Sequence, residues 1–390
     1  YPRFAWRGLL IDPARHFIKV EDVKHFIDAM ALHKFNRLQM HLTDNEGWRI
    51  EIKKYPRLTQ VGSQMDWSLR YKNGQGPRCF GYYSQQEIET LVSYAAKRHI
   101  TIVPEIEMPY HAGSAIVAYP EHGVNMQRLA QLPLADRWQA REGDWRPNSG
   151  LLGPRPATVE FMKDVLTEVL DLFPSKFIHI GGDEANLKVW SEDPEMQALM
   201  KSLSCKDAHE LHSWFIGQID DFLTKKGRRM IGWDEILQGG LAPGATVMSW
   251  RGTAGGIAAA KAGHNVIMTP TTHTYFDYRQ HADELGLGNQ VLSLEKVYTF
   301  DPIPNELNAV ESQEVLGGQG QLWGVLIADR QRRDFMTWPR ACALAEKLWS
   351  PKSDGDFNAF LVRLTPHVER LTKAGINYRP LDQEPDSAQK

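Results

Sequence analysis

Cysteine is scarce in this chain. Its three residues in 390, Cys79, Cys205 and Cys342, are too few and too scattered for a disulfide framework or a zinc motif. No apolar run approaches the roughly 20 residues needed to span a bilayer, so membrane insertion is not expected. Charge of one sign is also lacking: the net charge is −3 and acidic and basic residues are interspersed. That balance speaks against nucleic acid or an anionic membrane as partner. Three motifs are missing as well. No G-x-G-x-x-G follows the first strand candidate, which weakens a dinucleotide-binding reading, and neither H-E-x-x-H nor G-x-S-x-G occurs. Paired histidines on one strand, expected of a metal-dependent barrel hydrolase, are absent too, since the second strand offers only His41. Tyr1 opens directly into folded-looking sequence, as expected of a chain read without its signal peptide, whether one was removed or not.

What is present is a long alternation of short apolar runs and helical patterns. Strand candidates fall at 6–11, 36–42, 100–106, 177–180, 229–233, 246–250, 265–269 and 320–325. Between them apolar residues recur at helical spacing, as in Val20, Val23, Ile27 and Met30. Ser84 with Glu87 forms a capping-box pattern, and Asp207 with Glu210 opens a second helix. Eight strands separated by helices predict an α/β chain, a single parallel (β/α)8 barrel with long loops after its strands. A doubly wound open sheet is the competing architecture. The connections 45–85 and 119–156 are long enough to suggest site-forming loops. The barrel domain is expected to cover residues 1–375, followed by a tail at 376–390 that is polar and frayed from 378 onward.

In such a barrel, residues at the carboxyl ends of the strands converge on one pocket. They are Arg15, Asp44, Glu107 and His111, the adjacent pair Asp183 and Glu184, then Trp233, Trp250, Tyr275, Asp277 and Trp323. The fourth strand, Phe177-Ile178-His179-Ile180, runs through Gly181 and Gly182 straight into that carboxylate pair. Adjacent carboxylates serve acid–base chemistry when their surroundings separate their pKa values, and they also suit the first turn of a helix. Asp234-Glu235, a second such pair lacking the preceding diglycine, reads as helix-entry acidity. Three tryptophans at comparable strand ends fit the apolar faces of a sugar, while the polar groups fit its hydroxyls. Two carboxylates in an aromatic pocket point to glycoside hydrolysis.

The ordered motifs resemble the family-20 glycoside hydrolases, the β-N-acetylhexosaminidases. They are Asp12-Pro13-Ala14-Arg15-His16-Phe17, His41-Leu42-Thr43-Asp44-Asn45-Glu46-Gly47-Trp48-Arg49, and Val103-Pro104-Glu105-Ile106-Glu107-Met108-Pro109-Tyr110-His111. His179-Ile180-Gly181-Gly182-Asp183-Glu184-Ala185 follows, then Gly232-Trp233, Ser249-Trp250-Arg251-Gly252, Thr274-Tyr275-Phe276-Asp277, Leu322-Trp323, Trp338-Pro339-Arg340 and Ala345-Glu346-Lys347-Leu348-Trp349-Ser350. The resemblance spans about residues 5–375. It implies hydrolysis of terminal β-linked GlcNAc or GalNAc with retention, the substrate's own acetamido carbonyl acting as nucleophile. By the same resemblance Glu184 is the general acid and base, with a pKa expected to be raised by burial beside Asp183 and Asp44. Asp183 orients the acetamido group and Tyr275 binds its carbonyl oxygen. Trp233, Trp250 and Trp323 box the N-acetyl group and the ring. Arg15 and Asp277 bind sugar hydroxyls, and His111 with Asp44 supports Glu184. No cofactor or metal is implied. The expected setting is periplasmic, secreted or cell-surface, and a homodimer is among the states expected.

Three departures from the family pattern stand out. Val325 replaces a glutamate that binds the 4- and 6-hydroxyls. Tyr110 replaces a glycine and is expected to narrow the pocket, and Glu107 replaces an aspartate. The small α/β domain that often precedes this barrel is not in the chain. A sugar-binding barrel without turnover, motivated by Val325 and Tyr110, is the alternative from another class. A metal-dependent barrel hydrolase is a third.

Overall fold

The computed structural model describes residues 1–65, 80–143, 150–288, 290–352 and 356–381. Eight parallel strands close into a barrel in sequence order. They are β1 (Trp6–Ile11), β2 (Arg37–His41), β3 (Thr101–Met108), β4 (Phe177–Gly181), β5 (Arg229–Trp233), β6 (Thr246–Ser249), β7 (Val266–Met268) and β8 (Val315–Leu322). Closure is made by β1 against β8, in register from Trp6 opposite Gly317 to Ile11 opposite Leu322. That closure excludes the open doubly wound sheet.

The outer helices follow from sequence periodicity. In α1 (Val20–Leu32), Val23, Phe26, Ile27 and Met30 turn to the barrel. The helix α2 (Gln85–Ala96) starts on the expected capping box, with Ser84 and Glu87 satisfying each other's backbone N–H. After α3 (Pro156–Leu172) comes α4 (Ala208–Lys225), which begins where Asp207 accepts from the N–H groups of His209 and Glu210. The circuit ends with α5 (Ala254–Lys261), α6 (Arg340–Trp349) and α7 (Phe357–Lys373).

Two expectations need correction. The eighth strand lies upstream of its predicted place, starting at Val315 and ending at Leu322. Its first half holds glycines because β1 crowds Gly317 while Phe300, Leu348 and Met268 crowd Gly318. A Cβ on Gly317 would sit 1.9 Å from the Trp6 carbonyl oxygen, and one on Gly8 would meet the Gln319 side chain. The tail is also docked further than expected. Ile376 and Arg379 are buried, the Arg379 N–H donates to the Trp338 carbonyl, and its guanidinium reaches Glu284 at 2.7 Å. Residues 382–390 of that tail lie outside the described residues, as does Cys79.

Inside the barrel a polar thread climbs through apolar filling. Trp6, Leu10, Val103, Ile231, Met248 and Ile267 fill the lumen. Among them the Trp6 N–H donates to Gln319, Gln319 to Gln39, and Gln39 to Glu105, at 3.0, 2.6 and 2.8 Å. Each buried amide therefore has a partner, and the thread delivers a carboxylate to the floor of the site.

Candidate active site

At the carboxyl ends of the strands lies a cavity of about 230 Å³, at the small end for a ligand site. Arg15, Asp44, His111, Asp183, Glu184, Trp233, Trp250, Tyr275 and Trp323 all line it, as do His41, Glu107, Tyr278, Leu287 and Val325. Nine of the ten residues assigned from sequence a role in binding or catalysis therefore come together, and the strand-end Glu107 joins them.

Its floor is an ion-pair network. Glu105 accepts from His41 Nδ1 at 2.7 Å and from the Trp233 N–H at 3.0 Å, and it faces His179 Nδ1 at 3.1 Å. Burial works to lower the His41 pKa, yet Glu105, Asp12 and Asp44 raise it to about 10, so the ring is an imidazolium holding two carboxylates. Its other nitrogen meets Asp44 at 2.6 Å, and Arg15 reaches the same Asp44 oxygen at 2.6 Å. Burial acts to raise Asp44, but Arg15 and His111 hold it well below the usual carboxylate range. Glu107 is the exception. Burial, Asp183 and Glu105 push it well above the usual range, and the Glu105 carboxylate is a hydrogen-bonding neighbour in that shift. Neutral Glu107 fills the space left by Gly181, where a Cβ would lie 1.8 Å from its Oε2.

The carboxylate pair hangs over this floor on a strained turn. Gly181 and Gly182 have φ of +70° and +89°, and Glu184 itself sits at +50°. A side-chain-bearing residue in that left-handed region stores strain of a kind that clusters at functional sites. His111 shares the feature, at φ +54°, and stands between the acids. Its Nδ1 is 3.2 Å from Asp44, while Nε2 is 3.3 Å from Glu184 and 3.6 Å from Asp183. Burial lowers His111, but these carboxylates raise it well above the ordinary value.

The two acids are unequal. Asp183 is deep, its side chain 13% exposed, and burial pushes its pKa up to about 7 despite the opposing pull of His111. Glu184 stands at the mouth with its side chain 53% exposed, and the hydrogen bond from His111 holds it below the ordinary value. This corrects the expectation that Glu184 is the acid with the raised pKa. Open to water and paired with a cation, it is held in its carboxylate form.

Aromatic rings make the opposite wall. Trp233 and Trp323 have centroids 5.7 Å apart, and Trp250 stacks on Tyr275 at 6.2 Å. The Trp250 indole N–H donates to Glu235 at 3.0 Å. Asp234 accepts from the backbone N–H of Trp250 and from Arg251 Nε. Asp234-Glu235 therefore opens a short 3-10 turn, as its sequence context suggested, and in addition positions Trp250.

Two expected pocket contributors are elsewhere. Asp277 is buried behind the wall beside Tyr275 and Tyr278 and is not among the lining residues. Neither of its oxygens has a hydrogen-bond partner among the described residues, and burial pushes it up to about 8. Tyr110 does not narrow the cavity either, because its ring packs on His111 at 4.5 Å and against Gly150. Conversely, Tyr278 and Leu287 had no sequence signal, since they lie in a connection without regular period. Glu107 was named at the end of its strand without a role, and His41 was noted only as a lone strand histidine.

Fold and site together define the class: a (β/α)8 protein with an acidic, aromatic-walled pocket at the carboxyl ends of its strands. Residues 4–352 match the catalytic domain of glycosyl hydrolase family 20. The chain belongs to that family. It is 43% identical to a β-hexosaminidase of Porphyromonas gingivalis over 98% of this chain and 48% of the relative. To a β-hexosaminidase of Akkermansia muciniphila it is 35% identical, over 97% of this chain and 74% of that one. Among solved structures, the exo-β-N-acetylglucosaminidase of Vibrio harveyi in complex with N-acetylglucosamine superposes with a TM-score of 0.85 at 34% identity. That match covers 97% of this chain and 60% of the other. The chain thus spans about half the length of the P. gingivalis relative.

Proposed function

We propose that this chain hydrolyses terminal, non-reducing β-linked N-acetylhexosaminides, releasing one sugar at a time with retention. The observation that carries the reading is the difference in depth between adjacent acids in a small, aromatic-walled cavity. A closed floor and a volume near 230 Å³ suit a single terminal sugar. In this reading Asp183, deep in the cavity, serves the 2-acetamido group, and Glu184 at the mouth serves the departing glycosidic oxygen, a division that their difference in exposure supports.

The acetamido carbonyl oxygen attacks C1 as the C1–O bond breaks, and the leaving oxygen takes a proton from Glu184. Asp183 as a carboxylate accepts from the acetamido N–H and stabilises the positive charge of the oxazolinium ring, while the Tyr275 hydroxyl donates to the carbonyl oxygen. Water then adds at C1 on the face the leaving group vacated, giving its proton to Glu184, and the acetamido group is restored. Glu184 starts as a carboxylate and takes up its proton as substrate binds, and His111, 3.3 Å away, is the proton-bearing group in contact with it. The bound sugar covers the exposed face of Glu184, removes its water and favours its neutral form. Both alternative readings place a sugar or metal here without this proton path. A sugar-binding barrel without turnover leaves the strained Glu184 unused.

Initial rates on the 4-nitrophenyl β-glycosides of GlcNAc and GalNAc, with and without a thiazoline mimic of the oxazolinium, test the proposal. Turnover blocked by the thiazoline supports it. Thiazoline binding without turnover of either glycoside favours the non-catalytic barrel, and EDTA-sensitive turnover the metal hydrolase.

A further inference from the structure

Outside the barrel, three side chains that this chemistry does not use converge. His33 ends α1, Cys342 lies on α6 and His367 on α7. Their donor atoms, two imidazole nitrogens and a thiol sulfur, lie within 4.8 Å of one another, and none of the three lines the catalytic cavity. The elements they join are the first helix and the last two, across the seam where β1 meets β8.

The His33 ring is held in one state. Its Nδ1 lies 2.7 Å from the Ala29 carbonyl oxygen, which can only accept, so Nδ1 carries the proton and Nε2 the lone pair. Stacking on Trp338, with centroids 4.1 Å apart, fixes the ring plane. That lone pair points at His367 Nε2, 2.8 Å away on a ring turned by 87°. A histidine whose far nitrogen is tied to a carbonyl is oriented as metal-bound histidines are. The third donor, Cys342, is a free thiol, 7% exposed. Two imidazoles with one sulfur suit zinc or copper(I), and they do not suit magnesium or calcium, which take oxygen.

We propose that His33, Cys342 and His367 form a binding site for a thiophilic transition-metal ion such as zinc, clasping the first and last helices of the barrel. On binding, Cys342 releases its proton to solvent, the His367 proton moves to Nδ1, and the ion takes Sγ and both Nε2 atoms. Tetrahedral Zn–N bonds of about 2.0–2.1 Å separate the two nitrogens by about 3.3 Å, so the imidazoles part by roughly 0.5 Å. Both histidines are only partly buried, which leaves water a fourth position.

The test is titration of tag-free, EDTA-treated full chain with zinc by calorimetry and with cobalt(II) by absorbance. The expected result is one equivalent bound and a thiolate-to-cobalt charge-transfer band. That band is specific, because the catalytic cavity contains histidines and carboxylates but no cysteine. Cys342→Ala and His367→Gln each abolish the band and weaken zinc binding by at least about tenfold, whereas Cys205→Ala changes neither. Absence of binding, or binding that survives both substitutions, overturns the proposal. If Cys342→Ala fails to fold, His367→Gln decides the question from a half-exposed helix position. The outcome is independent of the hydrolytic reading, since no readout depends on turnover.

Discussion

The two halves of the catalytic cavity are built from different chemistry. The half from β1 to β4 brings Arg15, His41, Asp44, Glu107, His111, Asp183 and Glu184. The half from β5 to β8 brings Trp233, Trp250, Tyr275, Tyr278, Leu287, Trp323 and Val325. In the first half, charges set one another's protonation: Asp44 and Glu184 are held low, Asp183 and His111 high. In the second half, rings brace rings, and two indole N–H groups are anchored on Glu105 and Glu235. The difference teaches that one half holds and moves protons while the other fixes shape. Substitutions of the acids and His111 in the first half are therefore expected to act on kcat, and those of the tryptophans in the second on KM, with Arg15 and Tyr275 the exceptions on either side.

The largest effects belong to the acid pair, where that division is most exposed. Glu184→Gln is expected to lower kcat by about 10²–10⁴-fold on substrates with poor leaving groups, and much less on activated aryl glycosides, which need little acid assistance. Asp183→Asn should cost roughly 10²–10³-fold on both kinds, because acetamido participation precedes either departure. Single-turnover rates on the two substrate types separate the roles. An Asp183→Asn variant that raised KM alone would break the division between the halves.

Protonation gives the next test. Asp183 is expected to work as a carboxylate, and its pKa is about 7, so it is charged above that pH and neutral below it. For the free enzyme, kcat/KM should therefore rise as pH increases through about 7 and fall again where His111 loses its proton, well above the ordinary histidine range. His111→Asn removes the cation that holds Glu184 low, so the alkaline limb then reports the loss of the Glu184 proton itself and moves to lower pH. A pH profile on a 4-nitrophenyl glycoside checks both limbs. A profile with no acid limb near 7 contradicts the role given to Asp183.

The halves also differed in how far sequence reasoning could reach. The order of strands and helices was legible because buried parallel strands read as short apolar runs between amphipathic helices, and the strand-end polar residues followed from that order. The eighth strand was misplaced because Gly317, Gly318 and Gly320 mimic a loop, although they are glycines for close packing against β1 and its neighbours. Asp277 and Tyr110 show the second limit. Position along the chain brings a residue to the rim, but neighbouring side chains decide whether it turns inward. The low pKa of Glu184 was out of reach for the same reason, since it depends on a 3.3 Å contact between residues 73 positions apart. Leu287 and Tyr278 lie in a connection with no period to read.

On the aromatic side the expected losses are smaller. Trp323 meets Trp233, Tyr275 and His41, and Arg15 lies 5.4 Å above its ring. Trp323→Ala removes apolar area worth about 1.5–3 kcal/mol against a bound sugar, which corresponds to roughly a ten- to hundredfold rise in KM. The change in kcat is expected to be smaller than for either acid. Steady-state kinetics on the GlcNAc glycoside measures the split, and a loss confined to kcat would mean that the ring positions the acids.

The smallest effect is expected at Val325, where the second half is least polar. Val325 follows Gly324, which packs on the Cβ of Arg15, and with Leu287 it gives the cavity an apolar flank whose side chains cannot accept a hydrogen bond. A sugar hydroxyl facing that flank gains nothing from its orientation, so the two C4 epimers are discriminated weakly there. Val325→Glu installs an acceptor in the cavity wall, and an acceptor left unmatched by one epimer costs that epimer affinity. The expected outcome is a change of about three- to tenfold in the ratio of kcat/KM for the GlcNAc and GalNAc glycosides, with kcat on the better substrate nearly unchanged. If the ratio stays fixed, hydroxyl recognition rests on the ionic half alone. The two walls would then divide the work more completely than their composition requires.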